Sequence, residues 1–204
     1  MFFPNEKIIF VHIPKTGGSS LETAICENRF GESSLLGNIY KQFTIRGFFK
    51  GEEASTPKGH RHSPISEYDE FLNLKEYVSF SILRNPFQQI TSLYNQIKNR
   101  ANFKNLEEFV LSDKMNNLAE LNYYVDQYKF THINDELKVD NIFVYDRYSQ
   151  AQEFVEDTFK IKIPRDRRLF QTKYDGSKFN AEMTKKVESL YQSSIDLYNR
   201  FLKE

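Results

Sequence analysis

The most constraining feature of this chain is an apolar run that leads directly into a glycine pair. Residues 7–13 read KIIFVHI, a nearly continuous and largely β-branched run that is typical of a buried parallel strand. Gly17 and Gly18 follow, and residues 20–30 then place their apolar side chains at helical spacing. The order of strand, tight loop and helix predicts one repeating unit of an α/β sheet.

Two further apolar runs, at residues 77–83 and 141–145, predict strands that each lead toward a helical pattern. Pro86 stands at the favoured first position of the helix after the second strand. Strands that alternate with helices predict an α/β domain with a central parallel sheet. The remaining predicted helices cover residues 105–112, 118–128, 149–159 and 181–202.

We expect a single domain over residues 1–204, interrupted by an irregular excursion at 31–76. Its first part is rich in glycine and poorly periodic, apart from a short predicted strand at 44–49. Long irregular loops in compact domains are often functional, and this one carries His60 and His62.

Charge and cysteine content exclude several classes of protein. Lys plus Arg and Asp plus Glu both number 28, so neither nucleic acid nor an anionic membrane is an expected partner. The single cysteine, Cys26, excludes an intramolecular disulfide and a cysteine-based metal cluster. The start has no signal-peptide pattern, and no apolar run is long enough to span a membrane. We therefore expect a soluble, cytoplasmic protein.

The segment HIPKTGGSS, at residues 12–20, has the parts of a phosphate-binding loop. Adjacent glycines let backbone N–H groups turn toward an anion, and a helix that begins here adds its positive dipole end. Because the lysine precedes the glycines, the segment departs from the nucleotide loop G-x-x-x-x-G-K-[ST]. A tight strand–helix turn with a stray lysine is the alternative interpretation. The candidate phosphate-binding residues are Lys15, Thr16, Gly17, Gly18, Ser19 and Ser20.

A second strand–helix junction carries an arginine, in SILRNPFQQITS at residues 81–92. Arg84 ends the predicted strand, where side chains point into the ligand crevice of α/β sheets. Its guanidinium can bind a phosphate through two hydrogen bonds, and Ser92 lies two turns into the following helix. Two anion-binding junctions on one sheet suit a nucleoside with phosphates at both ends.

FVHIPKTGGSSL and SILRNPFQQITSLY resemble the two nucleotide signatures of the sulfotransferases, most closely the carbohydrate group that includes heparan sulfate 2-O-sulfotransferases. The later VDNIFVYDRYSQAQEFV and the C-terminal helix are also similar, so the resemblance covers most of the chain. We therefore expect a P-loop-like three-layer α/β fold, with helices on both sides of the central parallel sheet.

The resemblance implies a donor and a role for each junction. In that family, the first signature binds the 5′-phosphosulfate of 3′-phosphoadenosine 5′-phosphosulfate (PAPS), and 3′-phosphoadenosine 5′-phosphate (PAP) is the product. The resemblance implies this role for residues 15–20. It also implies that Arg84 and Ser92 bind the 3′-phosphate. We expect no metal. Gln89 stands where the family pattern R-N-P-x-x-R usually has a second arginine. That change either weakens nucleotide binding or removes only a structural salt bridge.

Transfer to an alcohol requires a base, and histidine suits that role near neutral pH. His12 is interpreted as a buried core residue and His132 as a surface residue. His60 and His62 share one side of an extended segment, but no third ligand cluster supports a metal pair. The resembling enzymes often carry a histidine shortly before the second signature, which favours His62 as the base and His60 as the second candidate. Lys15 is expected to stabilise charge on the leaving phosphate.

The acceptor site is expected beside His62, between the excursion and the middle helices. Basic and tyrosine side chains there suit a carbohydrate or another hydroxyl-bearing acceptor, although charged loop residues are often only solvated. A P-loop kinase-like phosphotransferase and a non-catalytic binding module remain alternatives, and the oligomeric state is open. The basic residues of the excursion are Lys41, Arg46, Lys50, Lys58 and Arg61, and the tyrosines of the middle helices are Tyr123, Tyr124 and Tyr128. A separate basic patch late in the chain consists of Arg165, Arg167, Arg168 and Lys173.

Overall fold

The structure is a computed structural model, and it describes residues 1–30, 62–121, 125–164 and 179–204. The strands in these ranges are β1 (Phe2–Phe3), β2 (Ile8–Val11), β3 (Val78–Leu83), β4 (His132–Ile133), β5 (Glu136–Leu137) and β6 (Asn141–Val144). The α-helices are α1 (Gly18–Phe30), α2 (Ile65–Asp69), α3 (Pro86–Ala101), α4 (Leu106–Leu111), α5 (Gln127–Thr131), α6 (Tyr148–Phe159) and α7 (Ala181–Lys203). Segments of 3₁₀ helix lie at Leu74–Glu76, Asp113–Leu121 and Tyr145–Arg147.

The main sheet has the strand order β1–β2–β3–β6. β2, β3 and β6 run parallel, while β1 pairs antiparallel with β2. Val11 lies opposite Ser81, and Leu83 lies opposite Val144, so the three parallel strands end near one another. The loops that follow β2, β3 and β6 therefore meet at one edge of the sheet, which is where open α/β sheets bind ligands.

Helices cover both faces of this sheet. Phe10, Phe80 and Ile82 pack with residues of α1 and α6 in one hydrophobic cluster. Ile9, Val11 and Leu83 point the other way and pack with residues of α2, α5 and α7. Since side chains alternate between faces along a strand, strands buried on both faces are mostly apolar. The fold is α/β, with a central and mostly parallel sheet between helical layers, as the sequence predicts.

Local sequence signals account for most of the element boundaries. The three predicted parallel strands and the helices that follow them are confirmed, with ends shifted by one or two residues. Asn85 begins α3, because its side chain accepts hydrogen bonds from the N–H groups of Phe87 and Gln88 next to Pro86. Asn105 caps α4 in the same manner, through the N–H of Glu108 at 2.8 Å.

The predicted helix at 118–128 is wrong as one continuous element. Asp113–Leu121 is a 3₁₀ segment, and residues 125 and 126 are not helical. Asp126 begins a separate helix, α5, because its side chain accepts a hydrogen bond from the N–H of Lys129. The hairpin of β4 and β5 was not predicted, although Asn134 and Asp135 adopt the positive φ values, 50° and 62°, that a two-residue hairpin turn favours.

Part of the predicted excursion lies outside the described residues, including the short strand expected at 44–49. Its later part, 62–76, carries α2 and the 3₁₀ segment Leu74–Glu76, so it is less irregular than expected. Among the helices that the structure describes, none is both long and apolar enough to cross a membrane.

Candidate functional site

The first phosphate-binding candidate is the turn that joins β2 to α1. Lys15 and Gly17 both lie in the left-handed region, with φ values of 66° and 95°. Glycine adopts this conformation without steric cost, whereas a lysine rarely does. α1 begins at Gly18, and the first N–H groups of a helix have no partner within the helix. The turn therefore directs the positive end of α1 toward the carboxyl edge of the sheet.

Close packing explains the glycine pair in structural terms. A Cβ atom at Gly18 would lie 2.3 Å from Cδ2 of His12 and 2.8 Å from Cζ of Phe10. A Cβ atom at Gly17 would lie 2.9 Å from the ring of Tyr145. The glycines allow α1 to start directly against β2 and the segment after β6, so they have a structural role whether or not an anion binds.

The hydroxyl groups of the turn are partly engaged within it. Oγ1 of Thr16 donates a hydrogen bond to the carbonyl of Ile13 at 2.9 Å, and Thr16 is buried. Because a hydroxyl has one proton, Thr16 serves the loop itself in this arrangement. Ser20 is buried near the start of α1, and Ser19 is half-buried beside it. A contact from these hydroxyls to phosphate stays a prediction.

The second junction contacts the first through two consecutive carbonyl groups. Nη1 of Arg84 donates to the carbonyl of Lys15 at 3.1 Å, across 69 residues of sequence. Nε2 of Gln89 donates to the carbonyl of Pro14 at 2.8 Å. The structure thus brings the predicted Lys15 and Arg84 together, and Gln89 joins the turn to α3. Ser92 is buried further along the same helix.

Aromatic rings from the end of β6 complete this region. The guanidinium of Arg84 lies 4.5 Å from the ring centroid of Tyr145, a distance at which cation–π attraction operates. The hydroxyl of Tyr148 donates to the carbonyl of Gly17 at 3.0 Å. The three loops at the edge of the sheet therefore contact one another directly.

Gln127 is a residue at this edge of the sheet that sequence reasoning missed. Its Oε1 accepts from the backbone N–H of Arg84 at 2.8 Å, and its Nε2 donates to the Arg84 carbonyl at 2.6 Å. The residue is fully buried in the first turn of α5. Nothing local marks this glutamine, because its partner lies 43 residues earlier in the chain.

His62 lies directly beside the turn that joins β2 to α1. Its Nδ1 is 2.9 Å from the carbonyl oxygen of His12, and the two imidazole centroids are 4.5 Å apart. A carbonyl oxygen only accepts hydrogen bonds, so Nδ1 carries the proton. In the neutral ring, Nε2 is then the nitrogen that can accept a proton.

His12 is buried, as expected, but it is not an isolated core residue. Its Nδ1 lies 2.7 Å from Oε1 of Glu22, and both side chains are almost fully inaccessible. A buried carboxylate requires such a partner, because desolvation penalises its charge. Glu22 lies in α1, so this pair fixes the start of that helix against the strand that bears His12.

The other candidates lie elsewhere. His132 stacks on Tyr128 in the β4–β5 region, at 3.8 Å between ring centroids, and burial lowers the pKa of its imidazole. The hydroxyl of Tyr128 contacts Asp135 at 3.2 Å. The described ranges hold no group of three or more potential metal ligands. His60, Lys41, Arg46, Lys50, Lys58, Arg61, Tyr123, Tyr124, Arg165, Arg167, Arg168 and Lys173 lie outside the described residues.

The fold and this edge define an α/β protein with two cationic strand–helix junctions in contact. The chain matches the profile of the Sulfotransferase family over residues 1–200, and it belongs to that family. No curated protein matches it. A solved structure, the sulfotransferase from Alicyclobacillus acidocaldarius, is similar over 97% of this chain and 96% of its own, with 10% identity and a TM-score of 0.46. Family membership supports sulfuryl transfer to a hydroxyl-bearing acceptor.

Proposed function

We propose that this protein is a PAPS-dependent O-sulfotransferase that transfers a sulfuryl group to a hydroxyl of a carbohydrate. The observation that carries the proposal is the hydrogen bond from Arg84 to the carbonyl of Lys15. It joins two junctions that are each suited to a phosphate, as a nucleotide with separate 5′ and 3′ groups requires. The carbohydrate acceptor is supported by the resemblance of residues 10–21 and 81–94 to the carbohydrate sulfotransferases.

The residues present fit such a nucleotide. Lys15 and the positive end of α1 would hold the 5′ end, while Arg84 and Ser92 would hold the 3′-phosphate. Gln89 lacks the charge of the usual arginine, but its amide engages the carbonyl of Pro14 at the first turn. The substitution therefore leaves the two junctions joined, which favours a working nucleotide site over a module that has lost one.

His62 is the proposed base. Because its Nδ1 faces the carbonyl of His12, its Nε2 would accept the proton of the acceptor hydroxyl as the oxygen attacks sulfur. PAPS supplies the activated sulfuryl group. Lys15, together with the backbone amides of the turn between β2 and α1, would stabilise the negative charge that the departing phosphate gains. His60 stays the second candidate for the base.

Calorimetry with PAP, together with transfer of radiolabelled sulfate from PAPS to a panel of glycans and small alcohols, tests the proposal. We expect PAP to bind without added metal and at least one glycan to be labelled. An absence of binding at millimolar PAP would refute it. Magnesium-dependent turnover of ATP would instead support a phosphotransferase. PAP binding without any cleavage of PAPS would support a non-catalytic module.

A further inference from the structure

The end of β3 has a partner that does not belong to the sheet. The last register pair between β3 and β6 is Leu83 with Val144, so Arg84 is the first residue beyond it. Gln127 accepts from the N–H of Arg84 and donates to its carbonyl, at 2.8 and 2.6 Å. A side-chain amide has the same donor and acceptor groups as a peptide unit. Gln127 thus continues the hydrogen bonding of the strand by one residue.

The helix that carries Gln127 is itself held in place. Asp126 caps α5, and its Oδ1 accepts a hydrogen bond from Oγ of Ser194 in α7 at 2.9 Å. The same Ser194 oxygen accepts from the N–H of Tyr128 at 3.1 Å. Phe130 packs in the hydrophobic cluster that includes Ile65 of α2, shortly after His62. α5 is therefore a fixed support between the final helix and the segment that follows His62.

We propose that Gln127 is a positioning residue for Arg84, and that it sets the affinity of the site for the 3′-phosphate of the nucleotide. This inference rests on the proposed function. The main chain of Arg84 is held by Gln127, and its guanidinium is held between the Lys15 carbonyl and the Tyr145 ring. Without the amide, the N–H and carbonyl of Arg84 would need new partners, because both hydrogen bonds are part-buried and backbone groups shielded from water are costly to leave unpaired. The strand end would rotate, and the guanidinium at the end of a long side chain would move with it.

Gln127 acts through Arg84 rather than on the ligand. Its amide oxygen and nitrogen both bind the backbone of Arg84, and the side chain is fully buried. Its loss should therefore change discrimination between nucleotides with and without a 3′-phosphate. A purely structural role would change stability alone.

The test compares the dissociation constants of PAP and AMP, which differ by the 3′-phosphate, in wild type and in Gln127→Met. Methionine retains the length of the side chain and removes both hydrogen bonds. We expect the dissociation constant of PAP to rise about tenfold, as for the loss of roughly one hydrogen bond to a charged group. The constant for AMP should change by less than about twofold, so the selectivity for PAP over AMP should fall.

Thr131→Val is the matched control. Thr131 is buried in the same helix, and its hydroxyl donates to the carbonyl of Gln127 at 3.0 Å. The change removes a buried hydrogen bond from α5 and leaves the partners of Arg84 in place, so the selectivity should stay at the wild-type value. If Gln127→Met fails to fold, Gln127→Asn retains an amide that is one carbon shorter, and the selectivity should fall in the same direction.

A double-mutant cycle with Arg84→Ala completes the experiment. In that background Gln127→Met should leave the selectivity unchanged, because the guanidinium through which it acts is absent. Unchanged selectivity in the single variant, or an equal loss in both backgrounds, would overturn the positioning role. If the wild type does not prefer PAP to AMP, the proposed function fails before any variant is measured, and the inference falls with it.

Discussion

The two strand–helix junctions at this edge are held together by different physical means. The first relies on close packing, since α1 starts so near His12 that only glycine fits at position 18. The second relies on side-chain hydrogen bonds: the distant Gln127 binds the main chain of Arg84, and Gln89 in α3 donates to the carbonyl of Pro14 in the first junction. One junction is therefore sensitive to added atoms and the other to removed hydrogen bonds, although both are expected to bind phosphate groups.

The largest expected effect is at His62, beside the first junction. We expect His62→Gln to lower kcat by about 10²–10⁴-fold, the usual contribution of a general base. PAP affinity should stay unchanged, because the proposed role of His62 is proton transfer. Single-turnover transfer from PAPS measures the loss. Full activity in this variant would move the role of base to another histidine, with His60→Gln as the next variant to measure.

Replacing one cation at each junction tests whether their roles differ. Lys15→Met should lower kcat by about 10²–10³-fold, as for loss of one donor to a developing anion. Arg84→Met should mainly weaken PAP binding, because a bound 3′-phosphate carries the same charge before and during the reaction. Paired measurements of kcat and of the PAP dissociation constant separate the two effects. Equal effects on both quantities in both variants would contradict a division of roles.

Gly18→Ala tests the close packing of the first junction. The added methyl group would lie within 3 Å of His12 and Phe10, so the free energy of unfolding should fall by about 1–3 kcal/mol. Urea denaturation measures this change. Ser149→Ala, at an exposed position in the first turn of α6, is the control and should change stability by less than about 0.5 kcal/mol. If Gly18→Ala matches this control, the packing explanation of the glycine is wrong.

The smallest expected effect is at Gln89. Gln89→Met retains the volume and removes the hydrogen bond to the carbonyl of Pro14. The free energy of unfolding should fall by about 0.5–1.5 kcal/mol, the net contribution of one such bond. Urea denaturation of Gln89→Met and of Gln88→Met, one position earlier in α3, gives the comparison. Equal stability of the two variants would show that the contact of Gln89 with the turn between β2 and α1 contributes nothing to the free energy of unfolding.

The parts of the fold that depend on neighbouring residues were predictable. Strand β2, the glycine turn and α1 follow one another within a short segment, and Asn85 with Pro86 marks the start of α3. Strands of two residues, such as β1 and β4, are too short to show an alternating pattern. The break before α5 was missed because the cap at Asp126 interrupts an apolar pattern that otherwise continues.

The candidate site was likewise predictable only where its residues lie close together in the sequence. The candidate residues of each junction lie within one segment of the sequence, and the structure brings the Arg84 guanidinium into contact with the backbone of Lys15. Their contacts with phosphate stay predictions. The partner of Arg84 at Gln127 and the pairing of His12 with Glu22 were not predictable, because tertiary packing creates both contacts. The role of Gln89 was left open between two alternatives, and its contact with Pro14 adds a loop-positioning role to them.

The hydrogen bond between Arg84 and Lys15 has a thermodynamic consequence for a ligand with two charged ends. A ligand group that orders the arginine also orders the backbone of the turn, since the two are directly bonded. Coupling between binding sites is reciprocal, so occupation of either end changes the affinity of the other by the same factor. Fragments that carry only one of the two phosphates should therefore bind cooperatively with each other.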